Sequence, residues 1–301
     1  MKYAVIVPTL NAAKEWRDFS HSLLENTPCE TVLVIDSEST DTSVALARAS
    51  GIRVHGILRR EFDHGATRQL AVDLVPDVDI LVFLTQDAVI AGSDSIRNLL
   101  RSFEDPEVGA AYGRQLPRFD SRPIEAHARL FNYPAVSVLR DYSSRKDLGF
   151  KTIFISNSFA AYRVSALKAV GGFPRDTVFG EDTITAARLV KSGWKIAYVS
   201  DAQVYHSHSY TWRQEFRRYF DIGVLHSRES WLIDEFGGAS GEGARFVRSE
   251  LHSLWPKHWW LIPSALIRTA LKLVGYRLGK LESHFPNGLK RRLSMNRGYW
   301  T

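Results

Sequence analysis

Tyr3-Ala4-Val5-Ile6-Val7-Pro8 and Thr31-Val32-Leu33-Val34-Ile35, with a helical pattern between them, decide the fold. Each is an apolar run with no polar alternation, so it has no face to offer water. Such runs are strands covered on both sides. Residues 53–58 and 80–84 repeat the pattern. Between the runs, residues 12–26, 40–49 and 65–75 read as helices. Trp16, Phe19 and Leu23 share one face of the first; Gly51 closes the second and Pro76 stops the third. Strand, helix, strand in alternation implies a parallel sheet with helices on both faces.

The pattern continues less cleanly. A helix is expected over 93–103, a strand over 109–115 and a strand over 154–162. A short helix over 163–170, a helix over 181–192 and a last strand over 195–200 follow, the last leading to Val204-Tyr205-His206. Residues 118–150 are polar and aromatic, and read as a helix with a mobile loop. After Tyr210 only helical patterns remain: 212–235, 244–255 and 264–282, with a Gly-rich linker over 237–243. In 264–282, Leu266, Ala270, Leu273, Val274 and Leu278 lie near one face, with Arg268, Lys272 and Lys280 as its polar residues. The chain thus divides into 1–210, an α/β unit, and 211–301, a basic, aromatic-rich helical extension.

Composition narrows the class. The single cysteine, Cys29, excludes an intrachain disulfide framework and a Cys-based metal centre. Met1-Lys2-Tyr3 runs directly into the first strand, so no secretory signal is expected. No apolar run reaches the ~18 residues a spanning helix needs. Of the net charge of +6, residues 248–301 carry +8, from ten Lys/Arg against two Asp/Glu; the rest carries −2. A basic tail rich in Trp and Leu suits an anionic membrane surface better than nucleic acid.

Ligands of open parallel sheets bind beyond the carboxyl ends of the strands. Polar groups gather at four such ends: Pro8-Thr9-Leu10-Asn11, Asp36 to Asp41, Arg59 to Arg68, and Thr85-Gln86-Asp87. No GxGxxG or GxxxxGK[ST] follows the first strand, which disfavours a dinucleotide dehydrogenase or a P-loop NTPase. Asp36 can take hydrogen bonds from a base or ribose, or cap the next helix. Gly65 and Arg68 open a helix able to meet a phosphate, or Arg68 pairs with Asp63. Asp87 is a candidate ligand for a hard cation. Glu181 and Asp182 complement a helix N-terminus, and also supply what a general base requires. His206 and His208 follow the last strand as candidate metal ligands.

Together, Val5-Ile6-Val7-Pro8-Thr9-Leu10-Asn11, Asp36 with Ser39 and Asp41, Asp87, and Gly180-Glu181-Asp182 resemble the family 2 inverting glycosyltransferases of GT-A fold. Phe62 to Arg68, Leu84 to Ala88 and His206 to Tyr210 resemble that family's rhamnosyltransferase branch. The resemblance covers about residues 3–208. It implies a Rossmann-like, mostly parallel nucleotide-binding sheet and a helical C-terminal extension. It implies donor contacts from Pro8, Thr9, Asn11, Asp36, Ser39, Asp63, Arg68, Gln86 and Asp87. Asp182 is implied as catalytic base, with Asn157, Glu181 and His208 contacting substrate. Mg²⁺ or Mn²⁺ would sit on Asp87 and His206; Thr85 replaces the first acid of the family's DxD motif and so removes one carboxylate. The implied donor is dTDP-L-rhamnose, and the acceptor a glycan or lipid-linked glycan of a bacterial surface polysaccharide. The same fold with a UDP-hexose or GDP-mannose is the nearest alternative; a nucleotidyltransferase and a non-enzymatic membrane-binding module are the others. The expected place is cytoplasmic, peripheral at the inner face of the plasma membrane through 244–301, without nucleic acid and with a homodimer admitted.

Overall fold

The apolar runs form the middle of a nine-stranded sheet in the structure, a computed structural model that describes residues 1–238 and 241–300. Its strands are β1 (Tyr3–Thr9), β2 (Val32–Asp36), β3 (Arg53–Gly56), β4 (Ile80–Leu84), β5 (Val89–Ile90), β6 (Val108–Leu116), β7 (Val138–Arg140), β8 (Phe159–Arg163) and β9 (Lys195–Tyr205). The order is β3-β2-β1-β4-β8-β6-β9-β5, with β7 paired to β9. The first four strands are parallel, as their apolar runs require. Beyond them β8 runs antiparallel to both β4 and β6, so the sheet as a whole is mixed rather than mostly parallel. All five residues of β2 and of β4 are buried. Alternate side chains serve two apolar layers: Ile6, Leu33 and Phe83 on one face, and Val5, Val7, Val34, Trp16, Phe19 and Leu23 on the other.

Two differences from the sequence reading bear on the site. The strand expected over 154–162 is only Phe159–Arg163; the residues before it cross the sheet end and bring Asn157 with them. The strand expected to stop at Ser200 runs on to Tyr205. Its pairing with β6 jumps from Gly113↔Val199 to Arg114↔Gln203, a bulge that bends β9. A Cβ on Gly113 would run into the Phe159 ring and the Ala202 carbonyl, so the bend requires glycine there. The bend carries His206 to the end of the sheet, where its amide donates to the Leu116 carbonyl.

The C-terminal helices also depart from expectation. The helix expected over 212–235 breaks at Glu229 into Trp212–Arg228 and Ser230–Phe236. Leu225, Leu232 and Phe236 join the apolar layer that covers the sheet. A helix, Glu242–His258, begins inside the expected linker, of which Ala239 and Ser240 lie outside the described residues. Helix Ile262–Lys280 meets Trp212–Arg228 through Gly275 and Gly279, where a Cβ would strike the Phe216 and Phe220 carbonyls.

That contact turns the last long helix inside out. It buries Ala265, Arg268, Gly275 and Gly279. Arg268 Nη1 reaches Glu215 Oε1 at 2.5 Å, and Lys272 Nζ lies 3.2 Å from Glu215 Oε2. Leu266, Ile267, Leu273 and Val274 are left 41–50% exposed. Arg268 and Lys272, part of the basic tail expected at an anionic membrane surface, therefore face the protein. No described helix is long and apolar enough to cross a membrane.

Candidate active site

The carboxyl ends of β1, β2 and β4 assemble as their sequence positions suggest. Thr9 lies opposite Asp36 in register, and Ser37 N–H donates to the Thr9 carbonyl. Asp36 is buried; its Oδ2 takes the Ser39 amide at 2.9 Å, and its Oδ1 is buried with no partner. Asn11, at φ 51°, receives the Thr40 amide on its side chain while its own amide donates to Ser39 Oγ. Gln86 spans the loop, accepting from Leu10 N–H at 2.7 Å and donating to the Leu10 carbonyl at 3.1 Å. Both ends of that amide are thus engaged with the loop after Pro8. Asp63 caps helix His64–Leu74, taking the Gly65 and Ala66 amides. Gly65 is required for a close approach to the Pro174 carbonyl of the same chain.

Arg68 has a partner that spacing did not reveal. Its Nη1 lies 3.0 Å from Glu181 Oε1, with both side chains about 5–6% exposed. Glu181 opens helix Glu181–Lys191 directly after Gly180, whose left-handed φ of 85° favours glycine. Asn157 Nδ2 donates to Glu181 Oε1 at 2.9 Å, and Tyr162 Oη donates to Asn157 Oδ1 at 2.8 Å. Burial alone would raise the Glu181 pKa; the charges of Arg68 and His64 outweigh it and hold Glu181 below the usual range. Its neighbour goes the other way. Burial, and then the charge on Glu181, push Asp182 up to about 6. Asp182 remains partly exposed, with Oδ1 taking the Thr183 amide at 2.7 Å. A structural acid and a poised one thus stand side by side, their proton affinities driven apart by their surroundings.

The second cluster is Asp87, His206 and His208, whose donor atoms lie within 4.8 Å of one another. His206 Nε2 is 3.4 Å and His208 Nδ1 3.7 Å from Asp87 Oδ2. Burial opposes ionisation of Asp87, but the hydrogen bond from His206 and both imidazole charges hold it well below the usual carboxylate range. Burial and the neighbouring His206 take His208 down to about 4, so it is a neutral donor at pH 7.

The second contacts fix the His206 ring. Arg129 Nη1 donates to Gln115 Oε1 at 2.5 Å, and Gln115 Nε2 donates to Ser156 Oγ at 3.0 Å. These settle which end of the amide is oxygen. His206 Nδ1 sits 3.0 Å from that oxygen and so carries the hydrogen. When the ring is protonated, Nε2 donates to Asp87; when it is neutral, Nε2 turns a lone pair toward that carboxylate, where a divalent cation can take the proton's place. Three converging donors of this kind fit a divalent metal held by Asp87, His206 and His208, with Gln115 setting the tautomer. His208, expected to contact substrate, joins His206 here; Thr85 contributes no acid. Gln115 and Tyr162 were not foreseen, because a polar residue inside a strand gives no sequence signal, nor was Arg129, which reaches Gln115 from helix Pro123–Asn132. Ser156 and Asn157, adjacent in the chain, tie the two clusters together.

Mn²⁺ binding to the full chain with dTDP, followed by electron paramagnetic resonance, is expected to weaken about 10–100-fold in Gln115→Leu, the loss typical of an outer-shell partner. His206→Ala is expected to lose more. Unchanged Mn²⁺ affinity in both variants would contradict the assignment.

Comparison with known proteins gives the family and the fold. A family model described as glycosyl transferase family group 2 matches residues 80–270. The O-antigen chain rhamnosyltransferase RfbN of Salmonella typhimurium is 44% identical over 302 residues, covering 100% of this chain and 96% of its own. WbaN of Salmonella anatum, with the same description, is 44% identical over 301 residues, covering 99% and 95%. Among solved structures, the mannosyltransferase PcManGT of Pyrobaculum calidifontis, in complex with GDP-Man and Mn²⁺, aligns with a TM-score of 0.58 at 19% identity, covering 99% of this chain and 84% of its own. TarS 1-349 of S. aureus in complex with UDP-GlcNAc aligns at 0.54 and 15% identity, covering 94% and 92%. These structural likenesses give the GT-A fold; with the family model and the end-to-end relatives, the chain belongs to the family 2 glycosyltransferases, in the branch of the O-antigen rhamnosyltransferases.

Proposed function

We propose that the chain transfers L-rhamnose from dTDP-L-rhamnose to a hydroxyl of a growing O-antigen chain, with inversion at the anomeric carbon. The observation that carries the mechanism is the state of Asp182, partly exposed and pushed up to about 6 beside a fully committed Glu181. A base of that strength is ionised at pH 7 and close enough to it to accept a proton. The acceptor oxygen forms its bond to the anomeric carbon while the bond to the diphosphate breaks. The hydroxyl proton passes to Asp182, and the electron pair leaves with dTDP. A divalent metal on Asp87, His206 and His208, when bound, neutralises charge on the leaving diphosphate. Thr9 and Asp36, with its unpartnered Oδ1, are placed to receive the nucleoside. Arg68 does not meet phosphate in this reading; it holds Glu181.

The donor rests on the names of RfbN and WbaN, and a UDP-hexose or GDP-mannose is tested against it. With dTDP-L-rhamnose and acceptor glycan, Asp182→Asn is expected to bind the donor as the parent does and to lose transfer by about 10²–10⁴-fold. Near-parental turnover by that variant would remove Asp182 from the mechanism, and turnover with another sugar nucleotide alone would remove the donor assignment.

The outward face of helix Ile262–Lys280 fits the surface of an anionic membrane, where a lipid-linked acceptor would present itself. Its apolar stripe continues from Trp255, Trp259 and Trp260, each more than half exposed, and Arg277 and Lys280 lie exposed at its far end. Aromatic, apolar and basic residues in that arrangement suit an interfacial helix. Leu266→Glu with Leu273→Glu is expected to abolish co-sedimentation with phosphatidylglycerol vesicles and leave thermal unfolding unchanged. Unaltered vesicle binding, or conversion of a dimer to a monomer without any vesicle binding in the parent, would overturn the membrane reading.

A further inference from the structure

Helix Trp212–Arg228 directs charge two ways. Arg218 faces the catalytic groups, where it disfavours protonation of His64 and His208. Arg213 and Arg217, one turn apart, line a cavity of about 540 Å³ instead, together with Arg291, Arg292 and Arg297. That volume lies within the range of small-molecule sites. Five guanidiniums around one cavity repel one another at every accessible pH. Among the described residues none of the five forms an ion pair. The nearby Asp221 attracts Arg217; its Oδ2 takes the Met295 and Asn296 amides, while its Oδ1 is buried with no partner.

Arg217 shows that the cavity is built rather than incidental. It is only 9% exposed. Its Nε donates to the Arg292 carbonyl at 3.1 Å, which locks the tail 287–297 against the helix. Its Nη2 is buried with no hydrogen-bond partner. The cavity wall presents guanidiniums with no protein carboxylate among them, and an anion inside it would relieve their mutual repulsion. Arginine forks match phosphate oxygens in pairs.

We propose that this arginine cavity binds a diphosphate-class anion at a site separate from that of the donor nucleotide. The anion's source is either a membrane lipid headgroup or a free phosphate compound; the lipid-linked acceptor proposed above would supply the first, and only this choice of source rests on that reading.

Calorimetric titration of the full chain with inorganic pyrophosphate, in EDTA and saturating dTDP, tests the site. One binding event is expected, weakened at least tenfold in the double variant R291Q/R292Q, whose side chains are exposed in the parent. Arg217→Gln is expected to do the same, and dTDP binding in both variants to match the parent, which reports the donor site separately. Absence of pyrophosphate binding, its displacement by dTDP, or insensitivity to R291Q/R292Q would overturn the proposal. Flotation with phosphatidylcholine vesicles carrying a polyprenyl diphosphate, against vesicles carrying phosphatidylglycerol at equal charge, then separates the sources. Arginine-dependent retention on the diphosphate vesicles alone assigns a lipid-borne diphosphate, retention on both assigns headgroup phosphate in general, and retention on neither assigns a free anion.

Discussion

The buried pair of Arg68 and Glu181 is the constraint on which the catalytic end depends. Two charges so deeply buried are tolerated only because they satisfy each other, and removing one partner from such a pair costs about 3–5 kcal/mol. The pair ties helix His64–Leu74 to the start of helix Glu181–Lys191. Through Asn157 and Tyr162 it also grips the segment leading into β8. Glu181 is thereby kept ionised, and its fixed negative charge is one of the two causes that raise Asp182. A salt bridge that adds little net stability can be retained because it shapes a neighbour's chemistry.

The metal end follows a parallel logic. A bulge opposite Gly113 bends β9 so that His206 arrives beside Asp87. Arg129 orients Gln115, and Gln115 orients the imidazole. With one acid of the family's DxD motif replaced by Thr85, His206 and His208 make up the donor set. The cluster offers one carboxylate and two imidazoles, a donor set that suits a divalent metal.

The central strands were legible in the sequence because a strand buried on both faces must be apolar along its length, as β4 is throughout and β1 and β2 are up to Thr9 and Asp36. The strand ends were legible for the same reason: Thr9, Asp36 and Asp87 break runs that otherwise admit no polar residue. What was hidden depends on contacts distant in the chain. Nothing near Arg68 names Glu181, 113 residues on, as its partner. Gln115 reads as a polar residue in a strand until β9 is laid beside it. Helix Ile262–Lys280 gives a different lesson. Its periodicity marks an apolar face correctly, but not which way that face turns. Gly275 and Gly279 decide that, because only there can the backbone of helix Trp212–Arg228 come close. The pairing of Arg268 and Lys272 with Glu215 completes the inversion, and the leucines are left outside.

The account turns on Asp182 being a base raised by its surroundings. Its carboxyl can be followed directly by ¹³C NMR titration of the full chain labelled at aspartate, with the resonance assigned by its loss in Asp182→Asn. The account predicts a midpoint at about 6, with the carboxylate formed above that pH and the base protonated and idle below it. A midpoint at the ordinary aspartate value of 3.8 would mean that neither burial nor Glu181 acts on Asp182, and would contradict it.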